Sequence, residues 1–261
     1  MGILAKLLKP TPFYNYYREF IKKRAKIKHI RLESELHPLR VEFYKQFLKP
    51  SDTVFDVGAN IGNRVSAFIE CGAKVIAVEP QPACVGILKT KFGYNITIEN
   101  VGLSETVGEL DMHISTDTTV SSFSEEYIDS TKGRFKYSKW VETIKVPITT
   151  LDNLIAKYGI PKFCKIDVEG YELQVLKGLH HPLPFLSIEY CVPEMHAQLL
   201  QVVKYLHELS PDGQFNYSVG ESMKWALPLW MNYADFILHT GSLDFTKTSF
   251  GDVYFKSSKS E

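Results

Sequence analysis

One stretch limits what this chain can fold into: Thr53-Val-Phe-Asp56-Val-Gly58-Ala-Asn60-Ile-Gly62-Asn63, followed by Lys74-Val-Ile-Ala-Val-Glu79-Pro80. The first part predicts a buried strand, a glycine-rich turn and the start of a helix. The second predicts another buried strand ending in a carboxylate. This is the βαβ unit of a parallel sheet, with a ligand site where the strands end. Gly58 allows a sharp turn after the strand, and Gly62 is expected to let the helix pack close to the sheet. The helix N-terminus points free N–H groups at whatever binds there.

The same residues narrow the ligand. Glu79 lies 21 residues after Gly58, at the end of the second strand. A carboxylate there can accept hydrogen bonds from both hydroxyls of a ribose. A dinucleotide fingerprint aligned on Gly58 would need glycine where Asn60 and Asn63 stand. Asn60 puts a side chain where a pyrophosphate needs bare backbone. A ligand with a ribose and no phosphate is S-adenosylmethionine (SAM), whose amino acid end carries a carboxylate and an ammonium. The Asn60 amide and the Asp56 carboxylate suit those groups. Asn100-Val-Gly102-Leu103-Ser104 offers backbone and a flat apolar surface for an adenine ring. Taken singly, Asp56 could be a turn residue and Glu79 a solvated strand end. With the glycines between them, the ligand reading is the stronger one.

The rest of the chain continues the alternation. Helices are expected over 38–48, from Asn63 to Gly72, and over 82–92, 150–158, 171–177 and 194–209. Strands are expected near 95–101, 108–115, 141–148, 162–167, 185–190, 214–219 and 234–239. The stretch 116–140 reads as polar and irregular. The pattern predicts an α/β fold with a doubly wound, mostly parallel sheet. Three parts are expected: a basic helical extension over 1–35, the main domain over 36–245, and a fraying polar tail over 246–261.

The formal net charge is zero, which gives no overall case for nucleic acid. Residues 1–31 hold nine Lys or Arg against Glu19 alone, leaving 21 basic and 29 acidic residues for the remainder. That segment could contact anionic lipid peripherally. A solvated helix packed on the domain is the simpler account. Cys71, Cys84, Cys164 and Cys191 lack metal-ligand spacing, and the first three fall in apolar patterns. Buried free thiols suit a cytoplasmic protein. No apolar run approaches the length of a membrane span.

The sequence resembles the FkbM-type SAM-dependent methyltransferases over most of residues 40–240. The shared motifs are Val54-Phe-Asp-Val-Gly-Ala-Asn-Ile-Gly-Asn-Arg64, Val78-Glu-Pro-Gln81 and Thr149-Thr-Leu-Asp-Asn-Leu-Ile155. They continue in Lys165-Ile-Asp-Val-Glu-Gly-Tyr-Glu172, Val175-Leu-Lys-Gly178 and Leu186-Ser-Ile-Glu189. The cluster from Lys165 to Gly178 is the most specific. The resemblance implies a Rossmann-like class I methyltransferase whose final strand is antiparallel. It also implies methyl transfer, usually to a hydroxyl of a sugar or other natural product.

Methyl transfer to a hydroxyl needs a positioned acceptor and a group to take its proton. Asp167 closes a strand at the expected ligand edge, and Glu169 follows in the turn. These two are the candidate catalytic residues; Asp56, Gly58, Asn60, Gly62, Glu79 and Gly102 are the candidate cofactor residues. Glu189 ends the next strand along that edge. Lys165, Asp167 and Glu169 could instead form a structural ion-pair set, with Glu172 a helix-first-turn acid. A carboxylate cluster could bind Mg²⁺, but no Asp-Asp or Asp-Asn pair supports it, so no metal is expected. Arg40 and Arg64 could steer an anionic group or merely pair with Glu42 and Glu70. The Ser/Thr-rich run 118–123 could be a lid or an ordinary polar turn. Three competing functions are N-methylation, a nicotinamide oxidoreductase, which Asn60 opposes, and a non-catalytic SAM-binding protein.

Overall fold

The computed structural model describes Phe20, Arg24 and residues 31–258. Most of the expected basic extension therefore lies outside the described residues. Residues 31–44 are one helix (α1), so the expected boundary at residue 35 falls inside it. Its C-terminal half is core: Phe43 and Tyr44 are fully buried.

Seven strands make the main sheet: β1 (Thr53–Val57), β2 (Lys74–Val78), β3 (Thr97–Glu99), β7 (Phe163–Ile166), β8 (Phe185–Cys191), β9 (Gln214–Val219) and β10 (Phe250–Lys256). Their order is β3-β2-β1-β7-β8-β10-β9. The neighbours from β3 to β8 pair in parallel, and β10 runs antiparallel to both β8 and β9. This is the sheet, with its antiparallel strand, that the resemblance implies. The runs Val-Phe-Asp-Val and Val-Ile-Ala-Val are buried on both faces, as strands covered by helices on each side must be.

One face of the sheet, with Phe55, Val57, Cys164, Ile166 and Ile188, packs on Leu151 and Leu154 of α5 (Leu151–Tyr158), Leu173 and Leu176 of α6 (Glu172–Lys177), and Leu199 and Val203 of α7 (His196–Leu209). The other face, with Val54, Ala77, Phe163 and Tyr254, packs on Tyr44 of α1, Val65 and Phe68 of α2 (Asn63–Glu70), and Leu88 of α3 (Pro82–Phe92). Each such side chain contributes about 1.5–3 kcal/mol by leaving water. Local signals set the helix ends. The Thr150 hydroxyl accepts from the Asn153 N–H to cap α5, and Gly159 ends it.

A second, three-stranded sheet holds β4 (Gly102–Leu103), β5 (Gly108–Ser115) and β6 (Trp140–Thr149), ordered β4-β6-β5. The stretch 116–140, expected to be irregular, contains a 3₁₀ turn at Thr118–Val120 and helix α4 (Glu125–Thr131). The Ser124 hydroxyl accepts from the Tyr127 N–H to start α4.

Two expectations near the C-terminus are corrected. Residues 234–239 are not a strand but part of helix α8 (Tyr233–Thr240), capped by Asn232. A short helix α9 (Leu243–Thr246) follows. The expected fraying tail contains β10, inserted between β8 and β9 and buried from Gly251 to Phe255. No helix among the described residues is long and apolar enough to cross a membrane. Cys71, Cys84 and Cys164 are buried free thiols, and Cys191 is half-buried and free.

Candidate active site

The C-terminal ends of β1, β2, β7 and β8 open on a cavity of about 410 Å³ at the point where strand order reverses. Asp56, Gly58, Asn60, Glu79, Gly102, Asp167, Glu169 and Glu189 all line it. Gly62 does not.

Gly58 has φ +85°, and a Cβ there would sit 1.8 Å from the Asp167 carbonyl oxygen. The turn thus requires glycine for its conformation and for the close approach of the two strand ends. The Gly58 and Ala59 N–H groups donate to the Val78 carbonyl, at 2.9 and 3.1 Å. Asn60 is left-handed at φ +47°. Its N–H donates to Glu79 Oε2 at 2.7 Å, and the Gln81 N–H donates to Oε1 at 2.8 Å. The Glu79 carboxylate is therefore pinned by backbone and 1% exposed. Burial pushes its carboxyl up to about 7 against those two bonds.

The Asn60 side chain lines the cavity and also binds a neighbouring loop. Its Oδ1 accepts from the Thr118 hydroxyl at 3.3 Å, tying the glycine turn to the 118–123 run. Gly62 differs from expectation: a Cβ would meet the Phe92 ring of α3 at 2.3 Å, so this glycine serves helix-to-helix packing rather than packing on the sheet. Gly102 begins β4, and its Cβ would meet Ile148 and Phe123 at 2.7 and 2.8 Å.

Asp56 is 1% exposed, and its Oδ2 is buried with no hydrogen-bond partner among the described residues. Burial pushes its carboxyl up to about 7, with Lys165 opposing. A buried acid with an unmatched oxygen is suited to a cationic hydrogen-bond donor. Together with the pinned Glu79, it fits the ammonium and ribose of SAM.

On the β7 side, Lys165 is 1% exposed, and its ammonium lies 2.9 Å from both Asp167 Oδ2 and Asp252 Oδ1. Asp252 comes from β10 and also faces Arg64, at 3.7 Å. Arg64 bonds Glu221 through both terminal nitrogens, at 2.7 and 3.0 Å, and Arg40 joins Glu33 and Glu221. The arginines therefore pair with Glu221 and Glu33, not with the expected Glu70 and Glu42. Burial opposes ionisation of Asp167, but the Lys165 ammonium outweighs it and holds this carboxyl below its usual range.

Asp167, Glu169 and Glu189 each bring one oxygen to within 4.8 Å of the others. Such spacing fits a shared proton or a bound cation, and Lys165 already supplies a positive charge beside Asp167. Burial, with the Asp167 charge added, pushes Glu169 and Glu189 well above the ordinary carboxyl range. Glu169 leaves the Lys165–Asp167 alternation because its backbone turns left-handed, φ +55°, at a cost of about 1–2 kcal/mol. Glu172 is more than a first-turn acid: its Oε1 accepts from the Val168 and Gly170 N–H groups, both at 3.1 Å, and so holds the turn.

Sequence reasoning missed Asp252, whose signal was an acid inside an alternating buried run, Phe250-Gly-Asp-Val-Tyr-Phe255. It also missed Tyr127, which reaches Glu169 from 42 residues away and left no local signal.

The known proteins to which this chain is similar include methyltransferases. The Haloferax volcanii hexuronic acid methyltransferase AglP is 30% identical over 151 residues, 56% of this chain and 56% of that protein. The chain thus matches little more than half the length of that relative. Among solved structures, a precorrin-6Y C5,15-methyltransferase from Geobacter metallireducens shares 10% identity over 85% of this chain and 89% of that one, with a TM-score of 0.41. The plantazolicin methyltransferase BpumL in complex with a monoazolic desmethylPZN analog and SAH shares 10% over 97% and 93%, with a TM-score of 0.44. The model of the methyltransferase FkbM domain matches residues 56–210, from the buried Asp56 through the carboxylate cluster, and the chain belongs to this family of SAM-dependent methyltransferases.

Proposed function

We propose that this chain transfers the methyl group of SAM to a hydroxyl of a glycan, glycolipid or related hydroxylated natural product. Bound SAM supplies a methyl group on a sulfonium leaving group. Asp56 receives the ammonium with its unmatched oxygen, and Glu79 receives the ribose hydroxyls. The turn at Gly58 and Asn60 and the start of β4 at Gly102 form the walls. Gly62 contributes by letting Phe92 pack beneath the turn.

The observation that carries the O-methyl reading is the carboxylate cluster in the cavity wall. A hydroxyl is a weak nucleophile at neutral pH and needs a base as it attacks, whereas a neutral amine does not. Asp167 is held as a carboxylate by Lys165, and Glu169 and Glu189 lie within reach of it. Asp167 and Glu169 orient the acceptor hydroxyl and take its proton. The relative named for hexuronic acid supports a sugar acceptor. N-methylation and a non-catalytic SAM-binding role are the alternatives.

The test is turnover with labelled SAM on hexuronate-bearing oligosaccharides and cell glycan fractions. Asp167→Asn or Glu169→Gln should lower kcat by about 10²–10⁴-fold, with SAM affinity changed by less than about tenfold. Normal turnover in both variants refutes the role of the pair. Methylation of amines alone refutes the acceptor class.

A further inference from the structure

We infer that Tyr127 is the positioning residue that makes Glu169 the proton acceptor for the methylated hydroxyl. This rests on the O-methyl reading above and adds to it a residue outside the cavity lining.

Besides the two bonds to Glu172, four contacts converge on the turn that carries Glu169. The Tyr127 hydroxyl donates to Glu169 Oε2. The Ser122 hydroxyl donates to the Glu169 carbonyl at 2.6 Å. Gly170 lies against the Tyr127 side chain so closely that a Cβ would come 2.4 Å from Tyr127 Cβ. The Gln198 amide donates to the Gly170 carbonyl at 2.7 Å. Tyr127 is 2% exposed, so water does not compete for its hydroxyl. A left-handed glutamate persists only where its surroundings over-determine it, and here two of the four contacts come from Tyr127 itself.

The neighbours explain why a neutral donor is needed. Lys165 and Asp167 face Glu169 from β7 and its turn, Glu172 from α6, Glu189 and Cys191 from β8, and Tyr127 from α4. The one cation among them, Lys165, sits on Asp167 and Asp252. Burial and the Asp167 charge hold the Glu169 carboxyl well above its ordinary range. The phenol O–H opposes them by donating to the carboxylate, so that Glu169 accepts a proton at a pH above this raised midpoint. Tyr127 occupies Oε2 and leaves Oε1 for the acceptor. The acceptor oxygen then bonds the methyl carbon, the carbon–sulfur electron pair leaves with sulfur, and the hydroxyl proton passes to Oε1. A neutral carboxyl remains, still bonded to Tyr127.

Tyr127→Phe keeps the ring on Gly170 and removes only the donor. Infrared difference titration of the full chain with bound SAH, assigned by its loss in Glu169→Gln, reads the Glu169 carboxyl without any acceptor. The midpoint should rise by about 1–2 pH units in Tyr127→Phe, the shift carried by one charge-assisted hydrogen bond. On a hexuronate acceptor the acid limb of kcat should move up equally, with KM and SAH affinity nearly unchanged. Should Tyr127→Phe fail to fold, a fluorotyrosine at position 127 keeps the contact, strengthens the donor and should move the midpoint down. An unmoved midpoint in the folded variant overturns the inference. So does a shift that persists in the Tyr127→Phe, Glu169→Gln double variant. A parent chain that methylates amines alone sinks the O-methyl reading, and the Glu169 titration still judges Tyr127.

Discussion

Replacing Lys165 by Met tests the charge arrangement behind the site most directly. The ammonium is 1% exposed and 2.9 Å from each of two carboxylates, Asp167 and Asp252. Met keeps the length of the side chain and removes the charge. The buried Asp252 and the half-buried Asp167 then lose their common partner, and breaking a buried pair such as Lys165–Asp252 this way costs about 3–5 kcal/mol. In a chain of this size about 1 kcal/mol moves Tm by about 2–4 °C, so a fall of about 6–20 °C is expected near neutral pH. The pH dependence fixes the sign. Lys165 holds the folded Asp167 carboxyl below its unfolded value, so that contribution is complete above the unfolded pKa of about 4 and fades only as pH falls through the lower folded one. In Lys165→Met the two acids protonate more readily, Asp252 keeping only Arg64 at 3.7 Å, so the deficit should be largest at neutral pH and shrink on acidification. Calorimetric melting of both chains across this range measures it. Adding Asp252→Asn should recover part of the loss. A single variant that melts within about 2 °C of the parent near pH 7 refutes the reasoning.

Two predictions concern the cofactor half. Glu79→Ala should weaken SAH binding by about 1–3 kcal/mol, the loss of hydrogen bonds to a charged acceptor, as read by calorimetry; unchanged affinity removes Glu79 from the ribose site. Burial raises the Glu79 carboxyl to about 7, and ribose hydroxyls prefer its ionised form, so SAH affinity should rise with pH through about 7. Calorimetry in buffers of different ionisation enthalpy should then show proton release near neutral pH, and proton uptake would contradict this.

The cofactor half was legible because local rules write it. Gly58 must be glycine, and Glu79 follows an unbroken apolar strand, so both stand out in a single sequence. Asp167 and Glu169 were legible as strand-end acids. Their partners were not, because those arrive by tertiary contact. Tyr127 comes from an inserted helix, Asp252 from β10, and Glu221 from the loop after β9. The error at 234–239 has a local cause. Ala-Asp-Phe-Ile-Leu-His is a short apolar run whose period is ambiguous, and the deciding feature is the Asn232 cap just outside it. The strand Phe250–Lys256 was taken for a tail because Gly251, Asp252 and the polar residues after it dilute its apolar content, although Asp252 is buried against Lys165.

The position of β10 gives the chain an order of assembly. This strand follows every other strand of the sheet in sequence yet lies between β8 and β9 in space. As the chain leaves the ribosome, β9 has no neighbour to pair with until Phe250–Lys256 emerges, and β8 has one edge open. Lys165 likewise waits for Asp252, its second counter-ion. Closure of the sheet and completion of the Lys165 ion pairs are therefore one late event. A nascent chain cannot complete this candidate site before Phe250–Lys256 has been made.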